Sequence, residues 1–307
     1  MKQIHIGEII KQRRLELKLT QEELCEGICE PPTMSRIEKG HQTPTHSKLK
    51  ALLSRLNLPS EKYYAMMSEN ELEIEQLKDM IIDFNTRKLY AEALEKIDTL
   101  IPLADLDDTI TQQFIIRSRV LCGKREYNSI IPYSADEKLS LLFEAIKMTI
   151  PNFDIDEIGS HWYSLEEMKI INHIALVYSE NKQQREAVDI YYQLLKFIKR
   201  KLVIHSDNVA LAILVSYNYC LTLSQMQRYD DAFEIAHWGW NKCIEWSRSG
   251  PLGGLLFVIG KCLYYTGKIE ESKDYFIQSY YAFKSMRDIS NSDSVKEDIK
   301  KYFDINL

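Results

Sequence analysis

The chain reads as all-α: a small N-terminal helix-turn-helix head followed by a long array of repeated helix pairs. Three observations predict this. Residues 4–57 carry a dense pattern of apolar periodicity and capping residues, short helix-opening segments recur between residues 90 and 272, and the composition favours helix without a strand-rich stretch.

The head builds up element by element. Ile6, Ile9, Ile10 and Leu17 share one helical face, which leaves Lys11, Arg13, Arg14 and Lys18 on or near the other. Thr20 followed by Glu23 forms a capping box, in which side chains satisfy the free amides of a helix start, so a second helix is expected from Thr20 to about Ile28. Pro31 and Pro32 suit only a first helical turn, so the third helix begins there and runs to Lys39, with Gly40 as its stop. A fourth begins at Pro44 or Thr45, buries Leu49, Leu52, Leu53 and Leu56, and ends near Pro59.

Two short helices joined by a tight turn place the second helix in the major groove and the N-terminus of the first against the phosphates. The residues Leu19-Thr20-Gln21 and Ser35-Arg36-Ile37-Glu38 make this head similar to the Cro/C1-type (XRE) family. The resemblance implies that Thr20 and Gln21 meet the DNA backbone. Arg36 points outward from the recognition helix and can fork onto guanine O6 and N7, while Pro31, Pro32, Thr33, Ser35 and Lys39 fill the other solvent-facing places. Met34 and Ile37 are expected in the core of the head. Two departures stand out: Cys25 replaces the family's alanine, and the turn Cys29-Glu30-Pro31 lacks its usual glycine and one residue.

Charge divides along the same line. Residues 1–60 carry ten Lys or Arg against seven Glu, which leaves 29 against 38 for the remainder of a chain holding 39 and 45 in all. An acidic protein with a basic head is a poor general polyanion binder and concentrates its attraction for DNA at that head. The chain has 307 residues, so after the head enough remains for a large second core. No apolar run of membrane-spanning length and no signal peptide appears. Cys25, Cys29, Cys122, Cys220, Cys243 and Cys262 are widely spaced, without a Cys-x-x-Cys pair or nearby histidine ligands. They read as core thiols of a cytoplasmic protein, with no metal or cofactor expected.

The second part repeats itself. Segments opening a helix recur as Tyr90-Ala91-Glu92-Ala93-Leu94, Asp136-Glu137-Lys138-Leu139, Gln184-Arg185-Glu186-Ala187-Val188, Tyr229-Asp230-Asp231-Ala232-Phe233 and Ile269-Glu270-Glu271-Ser272. Their key positions, 93, 139, 187, 232 and 272, are spaced by 46, 48, 45 and 40 residues. Helical stretches of comparable length precede the later ones: Leu165 to Glu180, Asn208 to Met226 and Pro251 to Tyr265. The series resembles tetratricopeptide units with lengthened helices, and implies a right-handed superhelix whose inner helices line a concave groove. A last helix near Val295 to Phe303 would cap it. The expected division is 1–66 for the head and 67–307 for about five helix pairs and the cap.

A Cro-type head joined to five such repeats resembles the PlcR/Rgg-type peptide-responsive regulators of the RRNPP superfamily. The resemblance implies a homodimeric, cytoplasmic transcription factor that binds double-stranded DNA, as an inverted repeat, and a short quorum-sensing peptide. In that family, asparagines on inner helices clamp the peptide backbone, and Asn172 and Asn218 fit those places. Spacing supports the pair: Asn172 lies 15 residues before Ala187 and Asn218 lies 14 before Ala232. An asparagine amide both donates and accepts, so it can pair with an extended main chain whatever its side chains. The same asparagines would serve helix packing in a ligand-free repeat.

No P-loop, Gly-x-Gly-x-x-Gly or His-Glu-x-x-His motif is present. His161, His173, His205 and His237 have no nucleophile at a diagnostic spacing, so no catalytic residue is assigned. Two other readings stay open: a ligand-independent phage-type repressor dimerised by its helical body, and a scaffold that sequesters another protein in its groove.

Overall fold

The computed structural model describes residues 5–58, 68–127, 129–201 and 206–307. These residues divide into two compact units, Met1–Val177 and Tyr178–Leu307. The first holds the head and the opening repeats. The expected boundary at 66/67 falls outside the described residues, as does Pro59.

Four helices form the head: α1 (Ile6–Glu16), α2 (Gln21–Cys25), α3 (Pro31–Glu38) and α4 (His46–Arg55). Their core includes Ile10, Met34, Ile37, Leu49, Leu52, Leu53 and Leu56, as helical spacing selects, with Leu19, Leu24, Cys25 and Ile28 beside them, while Ile6, Ile9 and Leu17 are only half-buried. The Thr20–Glu23 capping box is present. Two expectations change. Helix α2 ends at Cys25 rather than Ile28, because Gly27 turns left-handed at φ +67°; the turn does contain its glycine, earlier than the sequence pattern placed it. Arg14 is not on an outer face but buried, ion-paired with Glu38. The close approach of α1 to α3 depends on Gly7, where a Cβ would overlap the Ile37 carbonyl oxygen.

The repeats of the first unit are α5 (Glu69–Thr86), α6 (Tyr90–Leu100), α7 (Thr109–Cys122) and α8 (Ala135–Lys147), around Ile81, Leu94, Ile97, Leu100 and Phe114. One feature was not expected from the composition: strands β1 (Lys124–Glu126) and β2 (Ser129–Ile131) pair antiparallel between α7 and α8. Helix α9 (Leu165–Glu180) contains the boundary between the units. The second unit continues with α10 (Gln184–Lys201), α11 (Ser206–Gln225), α12 (Tyr229–Glu245), α13 (Leu252–Tyr265), α14 (Ile269–Ser285) and α15 (Ile289–Phe303). All five helix-opening segments of the sequence start a helix, and the closing helix starts six residues earlier than Val295.

The interhelix turns share one construction. After α5, α9, α11 and α13 a residue at positive φ (Lys88, Lys182, Gln227 or Gly267) reverses the chain. Each turn has paired hydrogen bonds back into its helix, such as Gln227 N to Ser224 O at 3.1 Å and Arg228 N to Leu223 O at 3.0 Å. This is the Schellman arrangement, which satisfies the last helical carbonyls. Arg287, after α14, repeats it.

The head is fastened to the repeats inside the first unit. Arg55 Nη2 donates to Glu167 Oε1 at 2.6 Å with both side chains essentially sealed from solvent (1% and 0% exposed). Arg55 Nη1 caps the end of α2 through the Leu24 and Glu26 carbonyls, at 3.1 and 2.6 Å. The Glu167 carboxylate also accepts from Ser164 N at 2.5 Å as part of the α9 cap. Further ties are His46 N to Glu71 Oε1, Lys50 to Glu75, and Thr109 Oγ1 to the Gly27 carbonyl.

Candidate functional site

The face expected to meet DNA is organised by a buried carboxylate. Glu38, near the end of α3, accepts Arg14 Nε at 2.6 Å, Arg14 Nη2 at 3.0 Å and Gln21 Nε2 at 2.7 Å. One side chain therefore ties α1, α2 and α3 together and fixes the angle of the helix pair. The hydrogen bond from Glu38 holds the Arg14 guanidinium above its ordinary pKa. Gln21 lies half-buried at the start of α2 beside exposed Thr20, whose Oγ1 accepts from Glu23 N at 3.1 Å.

On α3, Pro31 and Pro32 occupy the first turn, where missing amide donors cost nothing. Arg36, Pro32 and Lys39 are exposed, while Pro31, Thr33 and Ser35 are half-buried. Arg36 Nη2 reaches back one turn to Thr33 Oγ1 at 3.3 Å, a weak contact that leaves the guanidinium able to swing outward. Met34 and Ile37 point inward, 0% and 1% exposed, so the alternation of faces on α3 is as the sequence predicts.

The two asparagines fall in different units. Asn172 lies eight residues before the end of α9, and Asn218 seven before the end of α11. Both are buried, 6% and 9% exposed, and both engage neighbouring groups. Val258 is seven residues before the end of α13 and fully buried. In the second unit, Thr222 Oγ1 donates to the Asn218 carbonyl at 2.9 Å and meets Ser179 Oγ at 2.9 Å, so a polar seam runs past Asn218. His173, beside Asn172, is buried with no hydrogen-bond partner at Nδ1. Burial first, then the Arg117 and Lys138 charges, drive its pKa down to about 3.

Cavities of about 80 and 280 Å³ in the first unit are lined in common by Ser47, Glu75 and Lys78, and neither includes Asn172. Burial pushes the Glu75 carboxyl up, but Lys78 and Lys50 outweigh it and hold its pKa at about 2. Sequence reasoning missed Arg14, Glu38, Arg55 and Glu167. The signal was partly there: Arg55 interrupts the apolar stripe of α4, and a cation inside such a stripe needs a buried partner. Nothing in the spacing identifies a partner 112 positions away.

Among the described residues no cluster of three or more potential ligands could hold a metal ion, and no helix is long and apolar enough to cross a membrane.

Comparison with known proteins follows this geometry. The RNPP family C-terminal domain matches residues 78–293, and a helix-turn-helix family matches residues 10–63. No curated protein matches the chain significantly in sequence. Among solved structures it is similar to Bacillus thuringiensis PlcR in complex with the peptide PapR7 and DNA. The identity is 20% and the TM-score 0.62, over 94% of this chain and 98% of that one. PlcR in its apo form aligns over the same shares at 19% identity and TM-score 0.59. ComR from S. thermophilus, in complex with DNA and its signalling peptide ComS, aligns over 96% of this chain and 98% of that one. Its identity is 13% and its TM-score 0.52. At these identities the likeness establishes the shared fold, a helix-turn-helix head with tetratricopeptide-like helix pairs.

Proposed function

The chain belongs to the RNPP family, and from that membership we propose that it is a transcriptional regulator whose head binds double-stranded DNA and whose repeats bind a short signalling peptide. The observation that carries this reading is the pairing, on one chain, of a helix-turn-helix over residues 10–63 with an RNPP C-terminal domain over 78–293. PlcR and ComR, which share the fold over most of both chains, were each solved with DNA and a peptide.

In this reading the exposed edge of α3 enters the major groove. Arg36 reads a guanine, Thr33, Ser35, Pro31, Pro32 and Lys39 line the contact, and Thr20 and Gln21 meet the phosphates at the start of α2. Comparable placement, eight and seven residues before the ends of α9 and α11, supports Asn172 and Asn218 as clamps for a peptide main chain. The protein acts in the cytoplasm as a homodimer on an inverted repeat, regulates rather than catalyses, and couples peptide occupancy to promoter binding. The burial of both asparagines favours one second reading, a ligand-independent repressor in which they serve packing.

Purification from the native host, followed by mass spectrometry of co-purifying small peptides and operator binding with and without them, distinguishes the two. A bound peptide that changes operator affinity is expected. Unchanged operator affinity with no peptide retained would select the ligand-independent repressor.

A further inference from the structure

We propose that Cys25 and Cys29 form a dithiol modification site in the head: Cys29 takes a peroxide, and Cys25 then closes an intramolecular disulfide across the helix-turn-helix turn. The geometry of the turn carries this. Cys29 N donates to the Cys25 carbonyl at 3.0 Å, an α-turn that brings the two residues together. The residues between them are not helical, Glu26 standing at ψ 121° and Gly27 at φ +67°, but the 3.0 Å hydrogen bond limits the Cα separation to about 7 Å by backbone dimensions, near the upper end of the roughly 4.4–6.8 Å that a disulfide spans. The backbone therefore needs little movement to close the bond.

The two thiols differ in access. Cys25 is sealed in the core at 1% exposure, while Cys29 is half-buried at the edge of the same cluster. Their surroundings are electropositive. The Arg55 guanidinium, which caps Leu24 and Glu26, acts on both thiols, and Lys48 acts on Cys29. The Cys25 thiol, which itself points to the Glu22 carbonyl at 3.8 Å, lies near enough to pull the Cys29 pKa down against the opposing effects of burial and Glu30, and the neighbouring Cys29 together with burial pushes Cys25 up. A partly exposed thiol of lowered pKa beside a buried thiol of raised pKa is the arrangement of attacking and resolving cysteines. Cys122, Cys220, Cys243 and Cys262 are buried, and burial raises all four.

The chemistry balances with one equivalent of hydrogen peroxide. The Cys29 thiolate attacks one peroxide oxygen, the O–O bond breaks, and protonation of the leaving hydroxide gives water and a sulfenic acid at Cys29. The Cys25 sulfur then displaces that hydroxyl as a second water, forming the S–S bond. Two thiols lose two electrons and two protons, and peroxide is reduced to two waters.

The consequence for DNA rests on the function proposed above. Cys29 is followed directly by Glu30, the N-cap of α3, and Gly27 lies between the two cysteines. Closing the ring constrains the turn that aims the recognition helix, the same turn whose Leu24 and Glu26 carbonyls Arg55 holds.

The test uses the full reduced chain and stoichiometric hydrogen peroxide. Mass spectrometry of peptides is expected to show a Cys25–Cys29 disulfide, with Cys29 alkylated first of the six thiols in the untreated protein. Cys25→Ser should stop at a Cys29 sulfenic acid that dimedone traps, and Cys29→Ser should give neither product. Operator affinity should fall at least tenfold on oxidation of the parent and remain unchanged in the Cys25→Ser, Cys29→Ser double variant. Failure of reduced parent and double variant alike to bind operator DNA would overturn the assigned function while leaving the disulfide to be judged by mass. Oxidation elsewhere first, or alkylation of Cys29 no faster than of Cys122, would overturn the proposal.

Discussion

The Arg55–Glu167 pair decides how firmly the head is held, because both groups are out of water. Burying two charges costs several kcal/mol, recovered only while each has its partner, so removing one is far worse than removing both. Arg55→Met or Glu167→Leu alone should each destabilise the first unit by about 3–5 kcal/mol, measured by urea denaturation. The double substitution should recover most of that loss. If the single variants unfold at the parent's urea midpoint, the pair is not the fastening described here.

His173 makes stability depend on pH. Its pKa is depressed from 6.5 to about 3 in the folded chain, so below pH 6.5 the unfolded state binds a proton that the folded state refuses. Stability from this group is therefore complete above pH 6.5 and declines toward pH 3, by up to about 1.4 kcal/mol for each pH unit. His173→Gln should flatten the melting temperature between pH 7 and pH 5 relative to the parent. An equal slope in both proteins would contradict a buried neutral imidazole.

At this scale the sequence was informative about apolar residues and poor about charges. Ile10, Met34, Ile37 and the leucines of α4 declare themselves by spacing, since helical periodicity is a local property. Arg14 does not, because its partner Glu38 lies on another helix 24 residues away and only the fold brings the two together. Asn172 and Asn218 were found by repeat position, but their burial depends on neighbours that spacing does not supply.

Among the elements, α3 is the one proposed to read DNA. Arg36→Ala should cost about 1–3 kcal/mol on the cognate operator and relax discrimination at one base pair. Gln21→Ala should weaken all sequences alike, since the proposed contact of Gln21 is with phosphate and its amide shares Glu38 with Arg14. Footprinting at fixed salt separates the two outcomes, and an Arg36→Ala affinity equal to the parent's would misplace the recognition helix. The repeat turns offer a stability test. Gln227 holds a left-handed φ of 61° where the next repeat has Gly267 at 86°. Gln227→Gly should raise stability by roughly 0.5–1 kcal/mol, because a side chain in that region is strained and glycine is not. Thermal unfolding reads this directly. Helix starts were legible at these turns because the capping and Tyr-Ala-Glu-Ala-Leu type segments are local. The β1–β2 hairpin was not, its six paired residues being too few to show a period.

For the whole molecule, the proposed regulator joins a DNA-binding head to peptide-sensing repeats on one chain. A single head covers only a half-site, so the regulator should bind an inverted repeat as a dimer. Sedimentation showing a monomer at micromolar concentration, with and without DNA, would count against that. The central claim is that the repeats sense a peptide, and calorimetric titration of the co-purified peptide into the parent and the Asn172→Ala, Asn218→Ala double variant tests it most directly. Each lost neutral hydrogen bond should cost about 0.5–1.5 kcal/mol, so the double variant, with helical content unchanged by circular dichroism, should bind roughly five- to 150-fold more weakly. Equal affinity in a folded double variant would remove these asparagines from the site, and no heat of binding to the parent would contradict the peptide-sensing account itself.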